Sequence, residues 1–265
     1  MARFPDELLD RLRNARHVVV LTGAGVSAES GLPTFRDPLT GLWARYRPED
    51  LATPEAFERD PALVWGWYRM RREAARAAAP NPGHDALAAL ERLVPRVTLV
   101  TQNVDGLHHR AGSREPLELH GSLFRVRCVV EGAVFEAPDD DAGPELPRCN
   151  GCGGLIRPDI VWFGESLPAG ILARAEEAAH TCDVFLSVGT SNRVYPAAAL
   201  PWAAAGSGAT VAVINPDEAG QGSGPGIHHL AGTASAVLPA LLETAWPGSY
   251  IPPPRPGSSV GRAAD

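Results

Sequence analysis

The chain has 265 residues, 45% of them hydrophobic and 21% charged, with a formal net charge of -7. That length suits one large α/β domain with a smaller appendage, and the acidic balance argues against nonspecific nucleic-acid binding, which needs a basic face. The first residues lack the apolar core of a signal peptide, the apolar runs near Val18–Leu21 and Ala197–Ala205 are too short for a membrane span, and only four cysteines occur, so the reading is a cytoplasmic protein with no disulfide framework.

In chain order, Pro5–Arg16 carries Leu8, Leu9 and Leu12 at helical spacing. Val18–Leu21 then reads as a buried strand that stops at Thr22-Gly23-Ala24-Gly25. A helix is expected from about Pro61 to Ala79, with Asp60 as its N-cap and Pro61 at its first helical position. Pro80-Asn81-Pro82-Gly83 ends it, and a further helix covers Gly83–Leu93. Arg96–Thr101 is a second strand, ending in Gln102-Asn103. Residues 125–155 differ in character, with few helix formers, an acidic run at Asp139–Asp141 and three of the four cysteines; they read as a small inserted module. A helix at Leu167–His180 follows. The third strand, Val184–Val188, ends in Gly189-Thr190-Ser191, and the fourth, Thr210–Ile214, ends in Asn215-Pro216. The tail from Pro247, rich in Pro, Gly and Ser, reads as disordered. Four apolar β-branched runs that each end in small or polar residues predict a parallel sheet with ligands gathered at its carboxyl edge.

Gly23-Ala24-Gly25-Val26-Ser27-Ala28 follows a strand and precedes a plausible helix start. This G-x-G-x-x-A pattern is close to the dinucleotide fingerprint, in which glycines let backbone approach a pyrophosphate. Alone it is equally well read as a tight turn. A dehydrogenase usually places an acidic residue at the end of the next strand, about 20 residues on. Here that region, Gly41-Leu42-Trp43-Ala44-Arg45-Tyr46, does not read as a strand. The long Gly- and Pro-punctuated stretch from Glu29 to Asp37 looks more like a cover over a nucleotide than a hydride-transfer pocket.

The motifs GAGVSAESGLPTFRD (23–37), TQNVDGLH (101–108), LHG (119–121), Cys149-x-x-Cys152, VWFGE (161–165), VGTS (188–191) and Asn215 occur in this order. The chain closely resembles the sirtuin family from about residue 17 to 240. The resemblance implies an α/β fold: a Rossmann-like large domain (1–36, 84–124 and 156–246) and a smaller domain with a helical module and a zinc ribbon (37–83 and 125–155), followed by the tail at 247–265. It implies NAD as cofactor and acyl-lysine proteins or peptides as partners, with no direct nucleic-acid or membrane binding and a monomeric state. Gly23, Ala24, Gly25 and Ser27 would hold the pyrophosphate. Phe35, Arg36 and Trp43 would belong to the cover. Gln102, Asn103 and Asp105 would line the ribose and nicotinamide pocket, and Gly189, Thr190, Ser191, Asn215 and Ala234 the adenosine half.

Of the eight histidines, His120 stands out, between the apolar stretch Leu117–Leu119 and Gly121. It matches the family's catalytic histidine, and an imidazole with a pKa of about 6.5 suits general-base work near neutrality. The implied reaction begins with the acyl oxygen attacking C1′ of the nicotinamide ribose. Nicotinamide leaves, and His120 then helps deprotonate a ribose hydroxyl; free lysine and O-acyl-ADP-ribose result. Asn103 and Asp105 would orient ribose and water, although a helix-capping turn also accounts for them.

The family usually supplies four cysteines as two C-x-x-C pairs around a structural zinc. Cys149 and Cys152 form one pair here, and Cys128 starts the other, but its partner position holds Glu131. Either an oxygen completes the site, which zinc tolerates, or the metal site is weakened; binding by three cysteines is slightly favoured. Cys182 reads as a core residue. Tyr68 and Arg71, three residues apart on one helix face, match the sirtuin subgroup that removes succinyl, malonyl and glutaryl groups. Arg71 could fork onto a distal carboxylate with Tyr68 adding a hydrogen bond, and Ala52 matches a small residue that leaves room. A solvated helix face of Arg69, Arg71 and Arg72 is the plain alternative. Acetyl removal is expected as well. Val161, Phe163, Gly164 and Glu165 would line the peptide channel, where a substrate backbone pairs as an added strand. Mono-ADP-ribosyl transfer and a catalytically silent NAD-binding scaffold are the competing functions.

Overall fold

The four apolar runs do form a parallel sheet. The computed structural model describes residues 4–34, 46–138, 146–216 and 226–251. The elements are α1 (Asp6–Asn14), β1 (His17–Thr22), α2 (Ala24–Ala28), α3 (Pro48–Leu51), α4 (Pro54–Arg59), α5 (Pro61–Ala77), α6 (Pro82–Leu93), β2 (Arg96–Thr101), α7 (Leu107–Arg110), β3 (Leu117–Glu118), β4 (Gly121–Cys128), β5 (Val134–Glu136), β6 (Ile156–Ile160), α8 (Ala169–Thr181), β7 (Val184–Val188), α9 (Leu200–Gly206), β8 (Thr210–Asn215), β9 (Ile227–Ala231) and α10 (Ala234–Ala245). Six strands run in the order β3-β2-β1-β7-β8-β9, every neighbouring pair parallel. The order reverses between β1 and β7, and ligands of open α/β sheets bind outside the carboxyl ends of the strands at such a point.

Burial follows the two-residue period of the strand. Val18 and Val20 of β1 face one layer, with Leu8 and Leu12 of α1, Leu87 and Leu90 of α6, and Leu238 and Leu241 of α10. Val19 and Leu21 face the other, with Ala175 and Ala179 of α8 and Leu200 and Ala204 of α9. All four β1 side chains are fully buried, and each contributes about 1.5–3 kcal/mol by leaving water. That two-sided burial is why the strand reads as an unbroken apolar run.

A second sheet, β5-β4-β6, is antiparallel. The helices between residues 48 and 77 pack on it: Leu51, Phe57, Val64, Trp67 and Tyr68 form one cluster with Leu123, Ile160 and Trp162. The predicted helix start is present, Asp60 accepting the Leu63 N–H at 2.9 Å. The chain passes from the first sheet to the second at Gly121, where φ is +82° and an added Cβ would stand 1.9 Å from the Asp159 carbonyl oxygen; only glycine fits. A lattice of charges braces the same joint. Arg125 bonds Glu118 of β3 at 2.7 Å and Asp159 of β6 at 3.1 Å, and Arg127 reaches Asp159 at 2.7 Å.

Two strands of the large sheet were not foreseen. β3 is only two residues long, and β9 carries His228 and His229; pairing with β2 and β8 defines them, not their own composition. Phe35, Arg36, Trp43, the acidic run Asp139–Asp141 and residues 252–265 lie outside the described residues. Among the described residues no helix is long and apolar enough to cross a membrane.

Candidate active site

Three strand ends meet at the crevice. The Gly23 N–H donates to the Val188 carbonyl at 3.1 Å, Gly25 to Gly189 at 2.8 Å, and Gly189 to Ile214 at 2.9 Å. This cradle is built from bare backbone. A Cβ on Gly25 would meet the Gly189 oxygen at 2.8 Å, and one on Gly23 would meet the Thr190 Cβ at 2.8 Å. The Gly-x-Gly turn is therefore required by the packing, and it keeps the approach to β1 free of side chains, as a bound dinucleotide needs. Gln102 donates to Thr190 Oγ1 at 2.9 Å, and Asn215 donates to the Thr190 carbonyl at 3.0 Å. Ser191 follows on the same loop, and Ala234, buried at the start of α10, stands against Gly83. These fold-imposed contacts bring Gly23, Ala24, Gly25, Gln102, Gly189, Thr190, Ser191 and Asn215 to one edge.

Behind the glycines lies a buried polar network. Asn103 donates to the Gly23 carbonyl and to Ser27 Oγ, both at 3.1 Å, and Ser27 donates to Asp105 Oδ2 at 2.8 Å. The other Asp105 oxygen accepts the Leu107 N–H at 2.9 Å. Asp105 thus closes a side-chain turn just before α7, whose N-cap is Gly106, and its second oxygen accepts from Ser27. His84 joins the network unforeseen. The Asn81 N–H donates to its Nδ1 at 3.3 Å, so the ring proton sits on Nε2, 3.5 Å from Ser27 Oγ. Burial lowers the His84 pKa to about 4, against the attraction of Asp105. His108, its rings' centroids 4.9 Å from those of His84, lies 2.9 Å from Thr22 Oγ1, and burial lowers it to about 3. The sequence signal for His84 was the Asn81-Pro82-Gly83-His84 helix start, where the histidine completes a capping box.

His120 is set by the same strand ends. Its Nδ1 lies 3.1 Å from the Gln102 carbonyl oxygen. A carbonyl only accepts, so Nδ1 carries the proton and Nε2 keeps its lone pair. Burial also lowers the His120 pKa, partly offset by that carbonyl, so the ring is neutral and basic at neutral pH. The Val161 N–H donates to the His120 carbonyl at 3.0 Å, and the Phe163 N–H to that of Ala52 at 2.9 Å. The segment of Val161, Phe163 and Gly164 therefore hangs between the histidine and the helical module, with Phe163 half exposed. Glu165 is engaged internally: its oxygens accept from Arg157 at 2.5 and 2.8 Å and from the Trp162 N–H at 2.8 Å, which fixes the turn.

Tyr68 is fully buried, and its hydroxyl oxygen accepts the Trp162 indole N–H at 2.9 Å. Arg71 Cζ lies 5.5 Å from the Tyr68 ring centroid, and attraction to Tyr68 and Asp105 offsets the lowering of its pKa by burial. Burial pushes the Tyr68 pKa up to about 12, so the phenol stays a neutral donor. Arg71 thus packs beside Trp67 and Tyr68, in place of the solvated helix face considered from sequence.

In the second sheet, the ligand atoms of Cys128, Glu131, Cys149 and Cys152 all lie within 4.8 Å of one another. Cys128 and Cys152 Sγ are 3.5 Å apart, and Cys149 Sγ is 3.7 Å from Glu131 Oε2. Three sulfurs and one oxygen at these spacings fit a tetrahedral structural zinc; the carboxylate stands where a fourth thiol was looked for. Cys182 is buried in the large sheet's core, away from them. One zinc per chain is expected by elemental analysis. Glu131→Cys is expected to release zinc to a chelator several-fold more slowly than the native chain, since thiolate is the softer ligand. Equal release rates would remove Glu131 from the ligand set.

Fold and site together define an α/β protein of the dinucleotide-binding class, with a glycine cradle at the carboxyl edge of its sheet and a neutral histidine beside the 161–164 segment. Residues 23–196 match the model of the Sir2 family. The NAD-dependent protein deacylase of Methylococcus capsulatus is 51% identical over 247 residues, covering 91% of this chain and 96% of that one. A solved Sir2 homologue–NAD complex superposes with a TM-score of 0.86 at 46% identity, over 92% of this chain and 94% of that one. A mutant Sir2 homologue in complex with 2′-O-acetyl ADP-ribose gives 0.84 at 46% identity, over 91% and 96%. The chain belongs to the Sir2 family and is an NAD-dependent enzyme.

Proposed function

We propose that the chain removes acyl groups from protein lysine side chains, acetyl and also acidic groups such as succinyl and malonyl, releasing nicotinamide and O-acyl-ADP-ribose. The substrate would lie between the Rossmann-like body (1–36, 84–124 and 156–246) and the smaller part (37–83 and 125–155). The deacylase names of its relatives and the acetylated ADP-ribose in a structural neighbour support the reaction. Gly23, Ala24, Gly25, Ser27, Gln102, Asn103, Asp105, Gly189, Thr190, Ser191, Asn215 and Ala234 would hold NAD, which supplies an electrophilic ribose carbon with nicotinamide as its leaving group. His120 Nε2 takes a proton from the attacking hydroxyl. Asn103 and Asp105, immobilised through Ser27, orient the reacting groups. Val161, Phe163 and Gly164 receive the peptide backbone.

One observation carries the acidic-acyl part: Arg71 and Tyr68 stand together behind the catalytic loop. The Tyr68 oxygen accepts the Trp162 indole N–H, and the phenol keeps its own proton to donate. A guanidinium beside a phenol O–H would suit a carboxylate at the far end of an acyl chain, and the small Ala52 would leave room for it. Charged hydrogen bonds contribute on the order of 1.5–3 kcal/mol. Arg71→Met is therefore expected to lower kcat/KM on a succinyl-lysine peptide by about 10- to 100-fold more than on its acetyl counterpart. Equal losses on both peptides would withdraw the pocket assignment.

A further inference from the structure

Every basic side chain of this protein other than histidine is a guanidinium. The 24 Lys and Arg residues are all arginine, although lysine is among the commonest residues of soluble proteins. Some positions need the arginine fork. Arg157 takes both carboxylate oxygens of Glu165 and the Ile160 carbonyl. Arg13 takes the Thr244 and Ala245 carbonyls at the end of α10, at 3.1 and 2.9 Å. Other positions are exposed charges on helices, as Arg11, Arg59 and Arg174 are, and an ammonium would serve as well there. Fork geometry therefore accounts for only part of the choice. The origin of the proposed substrates supplies the rest. An acyl-lysine forms when a neutral amine attacks an activated acyl carbonyl: the C–N bond forms, the C–S bond of a thioester breaks, and the amine proton leaves with the thiolate as free thiol. At pH 8 about one lysine amine in 250 is neutral, against at most about one guanidinium in 30,000.

We propose that the all-arginine charge set makes this enzyme resistant to the acyl thioesters that generate its substrates, so that it keeps fold and activity among them and offers no acyl-lysine to a second copy of itself. The joint between the two sheets shows what is protected. Asp159 is held by Arg125 and Arg127 at 3.1 and 2.7 Å, and Glu118 by Arg125 at 2.7 Å. Both carboxylates are buried. Acylating a lysine at either place would delete its charge and leave a buried carboxylate without its cation, which is strongly destabilising. A guanidinium keeps the pair intact. The inference rests on the deacylase reading above, which makes acyl donors the source of the substrate, and carries it to the enzyme's own surface.

The test exposes the native chain, a surface variant (Arg11→Lys/Arg59→Lys/Arg174→Lys) and a joint variant (Arg125→Lys/Arg127→Lys) to millimolar succinyl-coenzyme A at pH 8. Intact mass, Tm and NAD-dependent turnover of an acetyl-lysine peptide are measured before and after. The native chain is expected to gain at most one amine-linked succinyl group, at its α-amine, with Tm unchanged and kcat/KM held within about twofold, since no other amine is offered. The surface variant should gain further succinyl groups, one for each lysine that reacts, with Tm unchanged. The joint variant should gain them and then melt several degrees lower than before exposure. Arg127→Lys alone serves in its place if the double replacement does not fold. A native chain that loses Tm or more than half of its turnover on exposure would overturn the proposal, including a loss through the exposed Cys152 thiol that added thiol reverses. So would lysines in the surface variant that stay unmodified, or a joint variant shown by mass to be acylated yet melting as before. Absence of peptide turnover in the untreated native enzyme would instead sink the deacylase reading, and the masses and melts would still decide the resistance.

Discussion

His120→Ala is expected to reduce deacylation by about two to four orders of magnitude, the usual contribution of a positioned general base, while the affinity for NAD changes little. The glycine cradle, Gln102, Thr190 and Asn215 are linked to one another by contacts that do not involve the imidazole side chain. The Gln102 carbonyl loses only its imidazole partner, and the Val161 N–H keeps the backbone carbonyl at position 120. Peptide turnover and calorimetric NAD binding check the two halves separately. The pH profile adds a sign. Burial depresses the His120 pKa, so the acid limb of kcat/KM in the native enzyme belongs below pH 6.5, the ordinary value, with activity lost as pH falls through it. Substantial activity in the alanine variant would remove the base role, and a limb above neutrality would contradict the neutral buried ring.

Acid is expected to unfold this chain before most carboxylates titrate. His84 and His108 are held neutral by burial, with folded pKa values of about 4 and about 3, against about 6.5 when unfolded. Both values are depressed, so as pH falls below 6.5 the unfolded chain takes up two protons that the folded one refuses, and stability declines. Each proton steepens the loss by up to about 1.4 kcal/mol per pH unit. From pH 7 to 4.5 the two together remove on the order of 5 kcal/mol, comparable with the whole stability of a modest domain. The stability is fully present above the unfolded pKa. Denaturant titrations from pH 7 to 4.5 measure the slope, and His108→Gln should flatten it by about one proton. A pH-independent midpoint between 6.5 and 5 would contradict the neutral buried pair.

Legibility of the fold tracked burial on two faces. β1, β2, β7 and β8 were visible because both of their faces meet helices, which leaves apolar β-branched runs. β3 and β9 were not, since their hydrogen-bond partners and not their side chains make them strands. The ordered motifs located the nucleotide crevice, but a single histidine looks alike whether it is solvated, structural or catalytic. His84 and His108 acquire meaning only when α6 and α7 bring them together behind Gly23. Glu165 shows what a segment pattern leaves out: its place suggested substrate contact, and the fold adds bonds from its carboxylate to Arg157 and the Trp162 amide that fix the turn. Arg71 was locally indistinguishable from Arg69 and Arg72. Tertiary packing separates them, sending Arg72 to the Leu123 carbonyl at 2.7 Å and Arg71 toward Asp105.

The carboxylate of Glu131 also alters the oxidation arithmetic of the corner it shares with Cys128, Cys149 and Cys152. Four thiols could close into two disulfides, whereas three close into one and leave an odd sulfur. Cys182 cannot serve as its mate, being sealed in the core of the other sheet. Once stripped of metal and oxidised, this module carries one internal bridge and one thiol able to couple to a small thiol or a second molecule.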